Sequence, residues 1–561
     1  MDTAFVGYRG ERYLDFPEVE AWCRAAADAL PGWVRLEQVG TSRQGRPLWL
    51  LTLGDQRADV SARPAFWLDG ATHAAEWTGV MAALYTLSRW MEGLARGDEA
   101  VERAFRETTV YAMPVICPDA FQALAEGAPF IRSTLRPPPE GTLRVGLDSR
   151  DMDGDGAVRW MRWRHPAGPW VEDAEVPMCM RPRTLDDDPA DAWFLCDEGE
   201  LLCWDGARWI EAPLQYGLDL NRNFPAHWEP FRMFGMDGGA FPLSEPESRA
   251  VVDAFAARPN VAAALTNHTY TGALLTQPYR DPSPLGRPDI DLMENLARQA
   301  VSGTGYRAIR VSPDFQYDPK RSIVGVWADT LTTVFGVPGY TLELWDPFAH
   351  TGVSLPKPAE FFANPDPALV RQMVTRFIEG GAQVEPWRAF QHPQLGPVEI
   401  GGIDYMRTVR NPPVPLLAGE CEKGYRVAER MRRALPAVTV QAGVEIQDGV
   451  AVLSAVFENL GYLPTSALAY AESQGLNPGL RASLSLDPGL RLIEGEPERA
   501  LGHLDGWGSQ LVGGARHAIY PALPARGHRA VARWVIAGQG EARLQWWSKV
   551  AGRGELRLKI G

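Results

Sequence analysis

Between residues 14 and about 350 the chain alternates short, uninterrupted apolar runs with amphipathic segments, and this rhythm restricts its fold more than any other feature. Leu48–Leu53, Ala65–Leu68, Thr109–Val115 and Ala262–Thr266 lack the polar alternation of a strand with one wet face, so a sheet built from them is covered on both sides. Phe16–Leu30, stopped by Pro31-Gly32, reads as a helix, as do Val80–Leu94 and a segment opened by Glu245-Pro246-Glu247 that runs to about Ala257. Strands alternating with helices predict an α/β domain whose largely buried sheet is at least partly parallel.

The rhythm fails between Pro137 and Gly217. This stretch is rich in Pro, Asp and Trp (Trp160, Trp163, Trp170, Trp193, Trp204, Trp209) and reads as a long, loop-rich insertion of which much packs. After about residue 436 the pattern changes again, to short strands such as Ala451–Val456 and Ala530–Val535 separated by Gly, Pro and Asn, with no convincing helix. The expected organisation is an α/β unit over 1–435 with the insertion at about 137–217, followed by an all-β sandwich over 436–561. Residues 391–435, with the helical run Cys421–Leu435, fit either side.

A length of 561 residues is too great for one ordinary core. The formal charge of −14 argues against a nucleic acid or an anionic membrane as partner. No apolar run is long enough to span a bilayer. Met1-Asp2-Thr3-Ala4-Phe5 lacks the basic and apolar regions of a signal peptide, and six scattered Cys fit reduced thiols, so the expected location is the cytoplasm. Cys196 and Cys203 lie close together, but no Cys-x-x-Cys or nearby His supports a metal site there.

Several residues carry possible chemistry. His73 and Glu76 stand three apart, just after an apolar run that ends at Gly70 and just before a helical pattern, a layout that presents an imidazole and a carboxylate to one metal ion. His268 follows the strand pattern Ala264-Leu265-Thr266, where sites of open α/β sheets are found. Glu343 interrupts the apolar strand of Tyr340-Thr341-Leu342-Glu343-Leu344, which is costly unless the carboxylate is paired or used. Arg132 could face an oxyanion, and Arg222, flanked by Asn221 and Asn223, could receive a carboxylate. Singly, each has an ordinary alternative: a chance His-x-x-Glu, a core histidine, a structural salt bridge, surface arginines.

Taken in order, His73-x-x-Glu76, Arg132, Asn221-Arg222-Asn223, His268 and Glu343 resemble the set of the zinc metallocarboxypeptidases related to carboxypeptidase A, from roughly residue 12 to residue 350. The resemblance implies a mixed eight-stranded sheet flanked by helices. It implies one zinc ion on His73, Glu76 and His268, with Glu343 activating water and Arg132 holding the oxyanion. Asn221 and Arg222 would grip the free C-terminal carboxylate of a peptide substrate. The family's mobile Tyr has no match at its expected spacing: aligning Gly325 and Asp329 puts Arg321 there, and Tyr317 is the nearest aromatic. Relatives specific for basic residues place an acid where this chain has Ala328, so an uncharged terminal residue is the expected preference. The insertion, flanked by Arg132 and Asn221, is expected to rim or roof the substrate groove. An amidohydrolase of acyl-amino acids or cell-wall peptides on the same scaffold, and a non-catalytic peptide-binding protein, are the alternatives.

Within the insertion, Asp151-Met152-Asp153-Gly154-Asp155-Gly156 resembles the first half of a calcium loop. Arg162 occupies the position where such a loop needs its bidentate Glu, which excludes an ordinary EF-hand. A tight acidic turn is the first reading. A structural calcium site on Asp151, Asp153 and Asp155, completed by other oxygens, is the second.

Overall fold

The computed structural model describes residues 5–176, 178–233, 235–315, 322–354, 366–511 and 527–561. At its centre is a mixed eight-stranded sheet. In spatial order its strands are Val34–Thr41, Pro47–Leu53, Thr109–Met113, Ala65–Gly70, Val261–Thr269, Gly339–Leu344, Ala273–Thr276 and Arg307–Arg310. The four from Thr109–Met113 to Gly339–Leu344 are mutually parallel, and every residue in them is buried. That double burial is why these runs lack polar alternation.

Helices cover both faces. Trp77–Ala95 lies so close to the sheet that a Cβ on Gly79 would stand 2.8 Å from the Asn267 carbonyl oxygen, so only glycine permits this approach. On the other face, Trp327 of the helix Trp327–Thr333 donates its indole N–H to Asp69, which also accepts from Trp67. The helix Phe16–Ala29 begins at the predicted place, where Asp15 and Glu18 form a reciprocal capping box. Val414–Arg433, from the stretch that sequence left open, packs on Trp77–Ala95 and adds Leu417, Cys421, Val427 and Met431 to the main core.

Two local expectations change. His268 is not beyond its strand but within it, because the ladder to Gly339–Leu344 continues through His268 and Thr269. The insertion keeps most of its residues in loops, as expected, but also carries strands that were not anticipated. It holds six short strands, and four of them, Trp160–Arg164, Trp170–Glu172, Met180–Pro182 and Trp193–Asp197, join Val384–His392 and Gly396–Ile403 in one six-stranded sheet. Its Trp residues do pack: Trp163 lies 4.9 Å from Trp209, and the Arg162 guanidinium sits 4.2 Å from Trp193 and 4.1 Å from Trp387.

Beyond residue 437 two four-stranded antiparallel sheets share a core built from Leu453, Phe457 and Trp534 of one and Leu480, Ala482 and Leu544 of the other. Two short helices, Ala469–Ser473 and Trp507–Gln510, were not anticipated. The first is started from outside its own sheets: Asp289 accepts the backbone N–H groups of Ala469 and Tyr470 at 2.8 and 2.7 Å. Among the described residues no helix is long and apolar enough to cross a membrane.

Candidate metal centre and active site

The strand Ala65–Gly70 ends in a turn with Ala71 at positive φ, and Glu76 stands immediately before the helix that follows. The turn is tied down by the Ala74 N–H, which donates to the Arg132 carbonyl at 2.6 Å. This brings His73 and Glu76 to the ends of the parallel strands, where His268 projects from Val261–Thr269. His73 Nδ1 lies 2.9 Å from one Glu76 oxygen, and His268 Nδ1 lies 2.9 Å from the other. The two Nδ1 atoms are 3.0 Å apart, and all three side chains are buried. So many lone pairs at such spacing need positive charge between them, and a donor set of two imidazoles and a carboxylate is one that zinc accepts. Desolvation would raise the Glu76 carboxyl, but His73 and His268 hold it well below the usual carboxylate range.

Asp219 completes this arrangement, and the sequence reading missed it. It accepts from His73 Nε2 at 3.1 Å, on the opposite side of the ring from the nitrogen that faces Glu76, and so fixes the orientation of that ring. Its second oxygen accepts from Arg132 Nε at 2.8 Å. Burial would raise Asp219, yet Arg132, Arg222 and His73 keep it far below its ordinary value. Its side chain also caps the short turn Leu220–Arg222 through the Asn221 N–H at 3.0 Å. The available signal was an Asp between two leucines, where a carboxylate has to be paired.

Glu343 stands directly beside His268 in the adjacent parallel strand. Burial and the neighbouring Glu76 push its carboxyl up to about 7, while His268, Arg132 and Arg410 pull the other way. Arg410 is a second residue that sequence did not single out. It arrives from the segment Met406–Arg410, lies 4.9 Å from the Tyr270 ring and reaches 3.5 Å from Glu76. Asn411 next to it locks this segment to the turn that carries His73 and Glu76, donating to the Ala75 carbonyl at 2.9 Å and accepting from the Thr78 N–H at 3.0 Å.

Arg222 is buried, with Nη1 bonded to the Asn221 carbonyl at 2.7 Å and Nε without a partner. Asn221 uses its side-chain oxygen to accept from the Trp327 N–H at 2.9 Å. Gly325, at φ +64°, allows close passage, since a Cβ there would meet the Arg222 carbonyl oxygen at 2.4 Å. Ala328 is fully buried in an apolar cluster with Ala273, Leu275, Tyr279, Val311 and Val326. The adjacent acid, Asp329, is already engaged by Gln277 at 2.8 Å and His227 at 2.9 Å. Tyr317 lies outside the described residues.

A model of the zinc carboxypeptidase family matches residues 19–359, a range that contains every residue of this site except Arg410 and Asn411. A model for a domain of unknown function matches residues 437–559. The chain is 33% identical over 138 residues to carboxypeptidase D of Homo sapiens, which covers 21% of this chain and 10% of that protein. It is 32% identical over 109 residues to carboxypeptidase B of Astacus astacus, covering 19% of this chain and 34% of the relative. These matches thus span only a tenth and a third of the relatives' lengths. Similar solved structures include thrombin activatable fibrinolysis inhibitor, with TM-score 0.42, 16% identity and coverage of 77% of this chain and 78% of that one. Carboxypeptidase A from Helicoverpa armigera gives TM-score 0.38 and 17% identity over 60% of this chain and 65% of the other. With the family model spanning more than half of its length, the chain belongs to the zinc carboxypeptidase family.

Proposed function

We propose that this protein is a zinc-dependent carboxypeptidase that hydrolyses the terminal peptide bond of substrates with a free C-terminal carboxylate, favouring uncharged terminal residues. The observation that carries the reading is the placement of Glu343 beside His268, which sets a buried carboxyl of raised pKa against the His73, Glu76 and His268 donor set. Zinc bound there would supply Lewis acidity toward the scissile carbonyl and acidify water. Glu343 takes the proton of the attacking water and delivers it to the departing amine as the C–N bond breaks. Arg132, steadied through Nε by Asp219, presents its guanidinium charge to the developing oxyanion. Arg222, with Asn221 beside it, receives the terminal carboxylate and so fixes cleavage one residue from the end. The test is hydrolysis of a blocked dipeptide by protein of measured zinc content: activity that tracks zinc supports the reading, and activity in fully metal-stripped protein refutes it.

Two further outcomes follow from the same site. The apolar surroundings of Ala328 and the full engagement of Asp329 support release of Leu or Phe with higher kcat/KM than Lys or Arg. Blocked dipeptides differing only in the last residue check this, and a preference for the basic residues would end the specificity reading. Asp219→Asn weakens the acceptor behind His73 and is expected to lower zinc affinity about 10- to 100-fold, as read by competition with a metal-binding dye. Wild-type affinity in that variant would remove Asp219 from the metal centre. Six unpaired cysteines, four of them buried, support a reducing, cytoplasmic setting.

A further inference from the structure

The acidic loop of the insertion leads into the strand Trp160–Arg164, and a residue distant in sequence reaches into it. Within the loop, Asp151 accepts the N–H groups of Gly154 and Gly156, and Asp153 accepts that of Asp155, contacts that any tight acidic turn makes. Glu198 makes this one different. Its backbone clamps both ends of the loop: its carbonyl accepts the Arg150 N–H at 3.1 Å, and its own N–H donates to the Arg159 carbonyl at 2.9 Å. Its side chain is 0% exposed and enters the loop, where Oε1 accepts the Met152 N–H at 3.1 Å. Oε2 is buried without any hydrogen-bond partner.

One carboxylate oxygen from each of Asp151, Asp153 and Glu198 lies within 4.8 Å of the others. The nearby guanidiniums do not pair with Glu198. Arg159 bonds Asp155 at 2.6 Å, and Arg388 reaches Asp155 at 3.2 Å and Asp153 Oδ2 at 3.4 Å. Among the described residues no Lys, Arg or His pairs with Glu198. A buried carboxylate beside two others and without a cation is among the costliest arrangements a protein can hold. Burial, followed by Asp153, Asp151 and Asp155, accordingly drives the Glu198 carboxyl up to about 8.

We propose that Asp151, Asp153 and Glu198 hold one hard divalent cation, calcium, that pins the insertion's acidic loop to the base of its sheet. All donors are carboxylate oxygens, which suit calcium rather than zinc, and calcium accepts further carbonyls and waters at variable geometry where magnesium demands a strict octahedron. Glu198 takes the part that loop spacing would give to position twelve. That position, Arg162, is stacked between Trp193 and Trp387 and cannot serve. Asp155, drawn off by two arginines, is not among the ligands. This site is independent of the catalytic reading.

The test titrates CaCl2 into zinc-loaded full-length protein by calorimetry and follows thermal unfolding with and without CaCl2, zinc content being measured throughout. One calcium per chain and a rise in Tm of a few degrees are expected at saturating CaCl2, with MgCl2 giving a smaller effect. Glu198→Gln keeps an acceptor for Met152 while removing the buried charge, so it should lose the calcium effect yet unfold no earlier than the wild type without calcium. Asp153→Asn, at a more accessible position, should lose calcium binding as well. No calcium-dependent heat or Tm shift in the wild type, or full calcium binding by Glu198→Gln, would overturn the proposal and leave an acidic turn only.

Discussion

Glu343→Gln is expected to lower kcat/KM on a blocked dipeptide by about 10²- to 10⁴-fold, the usual contribution of a positioned proton-transfer group, while zinc content stays at the wild-type level. Gln matches the shape of Glu but cannot accept the proton of water at the operating pH. Glu343 is not one of the three groups that converge on the metal position, so its loss should leave the metal centre assembled. A stability readout separates this from damage to the fold. Because burial and Glu76 raise the Glu343 carboxyl, its ionised form is disfavoured in the folded state. Stability therefore falls as pH climbs from the ordinary carboxyl range to about 7, and Gln removes that cost. Metal-stripped Glu343→Gln should then melt at or above the wild type at pH 8. Full activity in the variant would sink the assignment of Glu343 as the base.

Arg222→Met should produce the second large effect, confined to substrates with a free terminal carboxylate. Removing one partner of a desolvated, hydrogen-bonded charge pair costs about 2–5 kcal/mol, or roughly 30-fold to several thousand-fold in kcat/KM. Met keeps the length of the apolar stem and gives up only the guanidinium, which lies 5.0 Å from the Phe231 ring. Arg132 remains to balance Asp219, and zinc binding should survive. The decisive comparison is a dipeptide against its C-terminal amide. The wild type should strongly prefer the acid, and the variant should lose that preference by slowing on the acid alone. An equal loss on both substrates would mean that Arg222 supports the fold rather than the carboxylate.

The sequence announces what is local and hides what is assembled. The four fully buried parallel strands were readable because burial on both faces strips out polar alternation. His73 and Glu76 were readable because strand, turn and helix start occur within a dozen residues. Asp219 was not, since its role exists only once a distant imidazole turns its back to it. Arg410 was equally silent, because it reaches the site from beyond the family's matched range. The insertion's strands escaped notice for a different reason. Trp170–Glu172 and Met180–Pro182 are three residues each, too short for any period to register.

The mixed origin of the six-stranded sheet bears on how the molecule comes to exist. The inner edge of the insertion, Trp160–Arg164, pairs with Gly396–Ile403, which the ribosome delivers more than two hundred residues later. During synthesis the insertion must wait with an open edge, exposed to every other strand it meets. The same late hairpin leads straight into Arg410 and Asn411, which close against Glu76 and its helix. Completion of the six-stranded sheet and completion of the surroundings of Glu76 thus fall in one late step, so a nascent chain shorter than about residue 411 carries His73, Glu76 and His268 without Arg410 and Asn411. A centre built in this order stays unfinished until residue 411 of the 561 has been made.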